Sequence, residues 1–568
     1  MQENEGILEN VANIILEEKP EDYGKRIEKG EKLEEILHLS EVRGNIISWY
    51  PELKGATVLQ LNAGYGEVTG ALCQKAEKVI AIEENEEKAK LIRKRYETIE
   101  NLIVMGGNLE NIAITELVDF VVAIDVKNSN IEKYVAFAKK YVKEEGRIIL
   151  TGENRFGMKA WASSEEERQV VNNKENTLSR KKCDNLFQKE GLFARYAYPL
   201  PDDKLTNVIF TENHLPDVEN MSRNLVYKQG VVSFSEIDAY RAIFEENASL
   251  FPFFANSFFI ELGKKELPEL PIKWVSYANM RKDKYRIQTV IGTEEVTKTA
   301  ANKKAQKHIE KMKKNIDIMK SLGIATLDYY EGDCIKSHFV KDKPTLDKVL
   351  LEIYREQGLE AFITKVKEYA AFLQEKLQAK EPNEIQEIVF EKYKIAVEKE
   401  QLQDFHFVQY GLWDLLFQNC FVIEGEYYFY DQEWLEEIVP VEFMIYRAIL
   451  YYHELHQYVT IEQVWQALGY GEKTIEVLKQ LDDKIQEKIR KPLVWNLYTK
   501  QELESRRYRK LKEKYQKQVA ETGEREAEIK QLQEAVIEKN NEVQIMKSSI
   551  SWKITKPLRN IRGIGRKK

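Results

Sequence analysis

Three polar residues in the stretch GLWDLLFQNCFVIEGEYYFYDQEW have types and spacing that suit phosphoryl transfer. Asp414 and Asn419 have the spacing D-x-x-x-x-N, and Asp431 follows twelve residues after Asn419. In that reaction one carboxylate takes or orients the proton of the acceptor hydroxyl, while an amide and a second carboxylate hold Mg²⁺ against the phosphates. Asp414 is therefore the candidate catalytic residue, and Asn419 and Asp431 are candidate metal ligands. The structural alternative is an Asp that caps a helix and an Asn in a turn.

A lysine that could contact phosphates lies upstream of these residues. The segments IKWVSYAN, YRIQTVIG and EEVTKTA predict three antiparallel strands from residue 272 onward, and Lys298 lies on the third strand. A basic helix follows, and we expect its Glu310 to pair with Lys298, unless Glu310 is simply solvated. Arg281, Lys282 or backbone amides would cover the phosphates in place of a glycine-rich loop.

A small β lobe followed by a mostly helical lobe resembles the kinase-like fold. The stretch KSHFVKDKPTL is similar to the hinge of aminoglycoside-phosphotransferase-like kinases. The resemblance implies bound ATP and Mg²⁺, with adenine against the backbone around Phe339. Trp413 stands where protein kinases carry Arg, which favours a small-molecule or sugar kinase.

A second group of residues suits nucleotide binding near the start of the chain. In VLQLNAGYGEVTGAL, an apolar strand runs into a turn with Asn62, Gly64 and Gly66, and a helix follows. Small residues there let the backbone approach a ligand, and Glu83 at the end of the next strand could hold ribose hydroxyls. The turn lacks the G-x-G-x-x-G pattern that an NAD site requires.

This turn resembles that of class I S-adenosylmethionine-dependent methyltransferases. The resemblance places Asn108 and Leu109 of GNLENI against adenine, and Asp125 of AIDVK in the loop that faces the substrate. The sequence departs from the family at Gln60, where an acidic residue is usual, and at Asn62, where a glycine is usual. GENRFGMKAWA and YPLPDDKLTNVIF resemble a subfamily associated with surface-polysaccharide assembly.

Alternating strand and helix patterns over the first third predict βαβ units and a parallel sheet. The predicted fold class is α/β: a Rossmann-like class I methyltransferase domain, then a kinase-like α+β domain, then a C-terminal coiled coil. The predicted divisions are an N-terminal helical segment (1–45), the methyltransferase-like domain with a connector (46–265), the kinase-like domain (266–496), the coiled coil (497–550) and a basic tail (551–568).

The coiled coil is predicted from a heptad repeat. The apolar or β-branched positions seven residues apart are Tyr508, Tyr515, Thr522, Ile529, Val536, Val543 and Ile550. Such a repeat favours a homo-oligomer through the helix, most simply a dimer. The alternative is a long solvated helix that packs on its own chain.

The tail SSISWKITKPLRNIRGIGRKK combines basic residues with Trp552 and aliphatic residues and contains no acid. A basic amphipathic segment of this kind suits an anionic membrane surface. The alternative is a disordered solubilising tail.

The composition limits the possible environments and partners. A net charge of −8 argues against a general nucleic-acid binder. The four cysteines form no CxxC pair, which fits a reducing compartment with neither a disulfide framework nor a zinc site. The sequence begins without a signal-peptide pattern and contains no apolar run long enough to span a membrane. We therefore expect a cytoplasmic protein, at the inner face of the membrane if the tail binds there.

The order of the segments resembles the bifunctional enzymes that terminate O-antigen polymannose chains by phosphorylation and methylation. It implies a glycan or glycolipid acceptor, with glycosyltransferases as possible partners. One rival hypothesis is a methyltransferase whose kinase-like half only binds substrate. Another is a non-enzymatic coiled-coil scaffold for glycosyltransferases. An rRNA adenine methyltransferase is disfavoured because AIDVK lacks the loop that positions a flipped base.

Overall fold

The computed structural model describes residues 2–29, 33–162, 175–217, 236–341, 343–381, 390–397, 403–452, 455–491 and 497–555. The chain forms two compact units, Met1–Thr499 and Lys500–Lys568. The first unit has an α/β architecture built on one large mixed sheet.

Short helices precede the sheet, as the sequence predicts for the first 45 residues. Their bounds are α1 Gln2–Glu17, α2 Tyr23–Lys29, α3 Leu33–Leu39 and α4 Asn45–Ser48, with a 3₁₀ turn at Glu41–Gly44. Val11, Ile15 and Ile36 from these helices pack in one cluster with Tyr65 and Leu91 of the following domain. The N-terminal segment is therefore part of the first unit.

A doubly wound parallel sheet follows. Its elements are β1 Thr57–Leu61, α5 Thr69–Lys75, β2 Lys78–Glu83, α6 Glu86–Arg95, β3 Leu102–Gly106, β4 Val118–Ala123, α7 Ile131–Tyr141 and β5 Val142–Glu153. The strands are parallel in the order β3-β2-β1-β4-β5. Alternate residues face opposite sides, so that Leu59 and Val58 join different core clusters. Both faces of the sheet are buried, which explains the continuous apolar runs.

Antiparallel strands extend this sheet beyond β5. The elements are α8 Met158–Ala162, α9 Arg180–Lys189, β6 Phe193–Leu200, β7 Val208–Thr211, α10 Glu236–Asn247, α11 Phe251–Phe254 and β8 Ser257–Gly263. The structure confirms the two strands predicted from LFARYAYPLP and NVIFTE. It adds β8, which pairs with both β5 and β6 and lies between them.

The predicted meander is also confirmed. It comprises β9 Ile272–Tyr277, β10 Ile287–Gly292 and β11 Glu295–Ala300; then come α12 Gln306–Ser321, β12 Asp328–Glu331 and β13 Cys334–His338. The meander continues the first sheet, because Val208, Ile209 and Phe210 of β7 pair with Ser276, Val275 and Trp274 of β9. The result is one sheet of 13 strands. The predicted division at 265–266 falls between β8 and β9, inside a single compact unit.

Buried polar side chains reinforce this join. The Asn45 side-chain amide donates to the Thr206 carbonyl oxygen and to Asn279 Oδ1, both at 2.9 Å. Asn279 Nδ2 donates to the same Thr206 oxygen at 3.0 Å, and the Tyr277 hydroxyl donates to the Asn45 carbonyl at 2.9 Å. We call Asn45, Thr206, Tyr277 and Asn279 the junction network. It links the N-terminal helices, the β6–β7 loop and the meander.

Helices dominate the remainder of the first unit. They are α13 Leu346–Gln357, α14 Leu359–Lys376, α15 Val441–Leu450, α16 Ile461–Ala467 and α17 Glu472–Ile489. Two small antiparallel sheets lie among them, β14 Phe407–Gly411 with β17 Glu436–Pro440, and β15 Cys420–Ile423 with β16 Glu426–Phe429. The β15–β16 hairpin confirms the predicted return of the chain toward Asn419. Nine of the ten residues of α15 are buried, which places this helix at the centre of the helical core.

The second unit consists largely of helix α18 Leu497–Ser548, followed by α19 Ile550–Ile554. Four apolar heptad positions are exposed: Ile529, Val536, Val543 and Ile550. In a coiled coil such positions would pack against another helix. The coiled coil itself stays a prediction, and the side chains of Tyr508 and Tyr515 lie outside the described residues. So does the tail from residue 556. Within the described residues, no helix combines the length and apolar character needed to cross a membrane.

The junction network should contribute measurably to stability. We expect Asn279→Ala to lower the free energy of unfolding by about 1–3 kcal/mol, because it leaves buried polar partners of Asn279 less well satisfied. Urea denaturation monitored by circular dichroism measures this change. Gln480→Ala on the exposed face of α17 is the control and should change stability by less than about 0.5 kcal/mol. Equal stability of the two variants would contradict the role of the network.

Candidate functional site

The strand order reverses between β1 and β4, and ligands bind at the carboxyl ends of strands at such a switch point. Directly after β1, Asn62, Gly64 and Gly66 have φ values of 52°, 62° and 82°. The Gly64 N–H donates to Glu83 Oε2 at 2.8 Å, and the Asn85 N–H donates to Glu83 Oε1 at 3.0 Å. Glu83 is thus fixed against the turn, where the sequence predicts a ribose-binding carboxylate.

Gly66 also accommodates a neighbouring ring. A Cβ atom at Gly66 would lie 2.8 Å from Cε2 of Tyr96, and the Tyr96 hydroxyl donates to the Gly66 carbonyl at 2.7 Å. The Tyr96 ring also packs against Gly70. The absence of a side chain at Gly66 therefore makes room for Tyr96, and its expected role in letting a ligand approach the backbone stays a prediction.

The carboxylate of Glu67 lies against the turn at Gly64. A Cβ atom at Gly64 would lie 2.5 Å from Glu67 Oε2, and this oxygen accepts the Tyr65 N–H at 3.0 Å. His38 Nδ1 lies 2.7 Å from Glu67 Oε1. Burial alone would raise the pKa of Glu67, but His38 and the charge of Arg43 lower it overall.

Arg43, which the sequence analysis did not identify, lies beside this turn. Its side chain is buried, and its Nε and Nη1 atoms have no hydrogen-bond partner. The charge of Arg43 helps to lower the pKa of both Glu67 and Asp125, so the guanidinium is close to the ends of β1 and β4. A buried cation with unsatisfied donors is costly unless an anion binds it. The sequence does not reveal that this side chain is buried beside the turn, so sequence patterns do not identify Arg43.

Asp125 begins a charged cluster after β4. Lys204 lies 3.8 Å from Asp125 Oδ1 and 2.8 Å from Glu153 Oε1. Lys204 is the main cause of the lowered pKa of Asp125. Asp203 is fully buried and accepts hydrogen bonds from the hydroxyls of Thr151 and Ser257 at 2.9 and 3.1 Å. Burial, followed by the charge of Asp125, raises the pKa of Asp203 to about 7.

The two motifs that resemble the polysaccharide-associated subfamily meet at this cluster. Lys159 of GENRFGMKAWA forms an ion pair with Asp202 of YPLPDDKLTNVIF. Asp202 Oδ1 also accepts the backbone N–H groups of Lys204 and Leu205, both at 2.9 Å. Lys159 therefore ties α8 to the loop that carries Asp203 and Lys204.

The remaining residues predicted around the methyl-donor turn have structural contacts. Asn108 Oδ1 accepts the Glu110 N–H at 3.0 Å, and the Leu109 side chain is buried in the core. Gln60 is buried on β1, where its Oε1 accepts the Thr69 hydroxyl at 2.8 Å. Gln60 thus joins β1 to α5.

A cavity of about 410 Å³ lies under the meander. We call it the meander cavity. Apolar side chains of β10 and β11, including Ile287 and Val296, form part of its wall, and Phe421 and Tyr430 contribute from the helical half. Arg281, Lys298, Asp431 and Glu433 add a charged group to the lining. A cavity of this size, with polar and apolar parts of similar extent and a few grouped charges, fits a small-molecule site.

Lys298 is held by carboxylates other than the predicted one. It forms ion pairs with Asp431 and, at 3.1 Å, with Glu433. Glu310 is exposed and binds Lys313 at 2.6 Å, so the predicted Glu310–Lys298 pair is wrong. The reason is the orientation of α12, which directs Glu310 to solvent.

Glu433 is the centre of this charged group. It pairs with Arg281 as well as with Lys298, and His308 Nε2 lies 3.7 Å from its Oε2. Burial would raise the pKa of Glu433, but Arg281, Lys298 and His308 hold it well below its usual range. Arg281 is therefore engaged by Glu433, and Lys282 instead donates to the Glu487 carbonyl at 3.0 Å.

The loop with Asp414 and Asn419 lies next to this group. Asp414 Oδ2 accepts the Glu433 N–H at 3.3 Å, and Asn419 Nδ2 donates to the Asp414 carbonyl at 3.1 Å. Burial, opposed by the Arg447 guanidinium, raises the pKa of Asp414 to about 6. Arg447 of α15 lies 3.9 Å from Asp414 Oδ1, and its guanidinium stacks over the ring of Trp413 at 4.2 Å.

Two expectations for ligands concern Phe339 and a metal. Phe339 lines the meander cavity. Its own N–H donates to the Glu294 carbonyl at 2.9 Å and is therefore not available to adenine. A hydrogen bond to adenine would have to come from a neighbouring backbone group. Among the residues that the structure describes, no three His, Cys, Asp or Glu side chains are grouped to hold a metal. Mg²⁺ usually needs only one or two carboxylates when phosphates supply further oxygens, so Asn419 and Asp431 stay candidate ligands.

Comparison with known proteins gives partial matches. No family model and no curated protein matches the sequence. A SAM-dependent methyltransferase from Thermotoga maritima is 17% identical, with 40% of this chain and 89% of that one covered and a TM-score of 0.25. One from Aquifex aeolicus is 14% identical, with 31% and 92% covered and a TM-score of 0.23. The DhpI–SAM–HEP complex is 13% identical, with 27% and 78% covered and a TM-score of 0.22. At such identities the substrates of those proteins do not carry over to this chain.

The buried Asp203 should make stability depend on pH. Its pKa is about 7 in the folded chain and about 3.9 in an unfolded one, so its contribution is complete below about pH 4 and is lost as the pH rises through about 7. Asp203→Asn removes the titration, so the stability of the native protein relative to the variant should fall by on the order of 4 kcal/mol over this range.

Urea denaturation at several pH values measures this difference. The exposed Asp333 provides a matched control, and Asp333→Asn should leave the pH dependence as it is. A native protein and an Asp203→Asn variant with parallel pH profiles would show that Asp203 is ionised throughout.

Proposed function

We propose that this chain is an S-adenosylmethionine-dependent methyltransferase joined to a kinase-like half that uses ATP and Mg²⁺. We further propose that it acts on a cell-surface polysaccharide or its precursor. The observation that carries the first activity is the buried guanidinium of Arg43 beside the turn of Gly64, because its Nε and Nη1 atoms have no hydrogen-bond partner. The sugar acceptor is proposed from the motifs around Lys159 and Asp202.

The residues at the switch point fit the parts of S-adenosylmethionine. Arg43 offers hydrogen-bond donors and a positive charge for the methionyl carboxylate, as a charge-assisted pair. Glu83 retains acceptor capacity for ribose hydroxyls after its two backbone bonds. Bound S-adenosylmethionine supplies an electrophilic methyl group. Glu67 lies over Gly64 and would have to move aside for a ligand that approaches the backbone of this glycine.

Asp125 is suited to orient the acceptor. Its side chain is 44% exposed at the end of β4, next to the proposed donor site. Lys204 lowers its pKa, which keeps Asp125 ionised and able to accept a hydrogen bond from an acceptor hydroxyl. Its role is therefore positioning rather than strong base catalysis.

Replacement of Arg43 tests the methyl-donor site. We expect Arg43→Met to weaken S-adenosylmethionine binding on the order of tenfold to a hundredfold, because a charged hydrogen bond is lost. Isothermal titration calorimetry measures the affinity. The ligand-free variant should keep its fold, which circular dichroism checks, because the Nε and Nη1 atoms of Arg43 make no hydrogen bond that the change would break.

The exposed Arg241 on α10 supplies the control, and Arg241→Met should bind like the native protein. Native affinity in Arg43→Met would refute the proposed role of Arg43. Absence of binding to the native protein would refute the methyltransferase proposal as a whole.

A second activity, phosphoryl transfer, is supported by the meander cavity. Its volume suits a nucleotide, and Lys298 and Asp431 lie together in its lining. Lys298 would contact phosphates, while Asp431 and Asn419 would hold Mg²⁺. With a pKa of about 6, Asp414 is largely ionised at neutral pH and suited to receive the proton of a sugar hydroxyl.

Asp431→Ala distinguishes the two proposed sites. We expect Mg-ATP binding to weaken at least about tenfold, because a metal ligand is removed, while S-adenosylmethionine binding is retained. Lys298 keeps Glu433 as a partner in this variant, so the fold should survive. Calorimetry with each ligand measures both effects, and Asp333→Ala is the matched control.

Loss of both ligands together would indicate a folding defect, which circular dichroism would reveal. If the native protein does not bind Mg-ATP, the kinase-like half is a substrate-binding module. If it binds neither ligand, the coiled-coil scaffold for glycosyltransferases becomes the better explanation.

The C-terminal elements are proposed to organise the enzyme. We propose that α18 joins two or more copies through its exposed apolar heptad positions, and that the basic tail contacts an anionic membrane surface. Both would place the active sites near a membrane-bound glycan or glycolipid and its glycosyltransferases. Exposed Ile529, Val536 and Val543 support the first of these proposals.

A further inference from the structure

A second cavity of about 410 Å³ lies on the other side of Glu433. We call it the far cavity. Glu433 lines both cavities, so its side chain forms part of the wall between them. Residues of α12, of α17 and of the segment 434–437 contribute to the lining of the far cavity. Neither activity proposed above uses it.

Aromatic rings make up much of its wall. Trp434 stacks on Trp413 with ring centroids 5.6 Å apart and contacts His308 at 4.5 Å and Tyr285 at 5.0 Å. Tyr410 also lines the cavity. The Arg281 guanidinium also lies over the Trp434 ring at 5.2 Å, so the edge of Trp434 and the ring of Tyr410 are the aromatic surfaces left for the apolar C–H groups of a sugar ring.

The charges at the far cavity favour an anion. Of its carboxylates, Glu436 is paired with Lys392, and Glu433 is paired with Arg281 and Lys298. Three lysines of the lining, Lys311, Lys314 and Lys488, have no ion-pair partner within 4 Å in the part of the chain that is described. Glu437, which is exposed, is the remaining carboxylate of the lining. The lining therefore has an excess of unneutralised positive charge.

His308 supplies a buried polar atom without a partner. Its side chain is 2% exposed and lines the far cavity, and its Nε2 has no hydrogen-bond partner. The nearest carboxylate oxygen, Glu433 Oε2, is 3.7 Å away, which exceeds a hydrogen bond. A buried group of this kind is expected to be satisfied by water or a ligand.

We infer that the far cavity binds a monosaccharide-sized phosphomonoester, with the sugar ring against Trp434 and the phosphate near Lys311, Lys314 and His308. A cavity of about 410 Å³ accommodates one such molecule, since ligand sites of about 300 Å³ and more bind small molecules. The ester could be a free sugar phosphate or the phosphorylated end of a glycan. This inference does not depend on either activity proposed above.

Tryptophan fluorescence of the full-length protein tests the inference, because Trp413 and Trp434 line the cavity. We expect glucose 6-phosphate to quench the emission saturably, with a Kd on the order of 1 mM or tighter. Glucose and inorganic phosphate should each bind at least about tenfold more weakly, since each makes only part of the contacts. Trp434→Phe should reduce the signal.

The double variant Lys311→Ala/Lys314→Ala should weaken binding at least about tenfold, because two cations are removed. The control, Lys307→Ala/Lys320→Ala, removes the same charge from exposed positions of α12 that do not line the cavity. All four lysines are exposed, so both variants should fold. Equal weakening by both variants, or no saturable quenching of the native protein, would overturn the inference. A phosphorylated glycan fragment that binds more tightly than the free ester would identify the glycan as the source.

Discussion

Three residue pairs between β7 and β9 join the doubly wound half of this protein to the meander half. The junction network adds buried hydrogen bonds at the same place, and its members come from the N-terminal helices, the β6–β7 loop and the meander. Because an unpaired buried polar group is costly, these contacts form together or not at all. Both candidate sites depend on this join. Lys204 is two residues from Thr206, and Tyr277 is itself in the wall of the meander cavity.

Electrostatics at the second site depends on Glu433. A single buried carboxylate holds Arg281 and Lys298 and lies near His308. Buried charges are tolerated when each has a partner. If one partner is removed, the free-energy cost of desolvating the remaining charge is no longer compensated. Arg43 at the first site differs: the carboxylates of Glu67 and Asp125 lie within range of its charge, but its Nε and Nη1 atoms have no hydrogen-bond partner. The charged groups of the second site are therefore paired with one another, whereas Arg43 retains hydrogen-bond donors for a ligand.

Periodicity in the sequence predicted the βαβ units, the meander and the hairpin, because these depend on local patterns of apolar residues. It did not predict β8, where the buried polar residues Ser257 and Glu261 interrupt the apolar pattern. Of the candidate site, the sequence predicted the return of the hairpin toward Asn419 and the placement of Lys298 on a meander strand. The partners of Lys298, the burial of Arg43 and the packing of Tyr96 on Gly66 arise between residues distant in sequence. Such contacts depend on how the elements pack, which one sequence does not specify.

The continuous sheet restricts how this protein can have been assembled and can be altered. If either half were cut from the other, β7 or β9 would become an unprotected edge, and exposed edges recruit other strands. Exchange of one half for a homologous one would succeed only if the incoming strand matched the register at Val208, Ile209 and Phe210. A change in either half must therefore remain compatible with the strand register at this join.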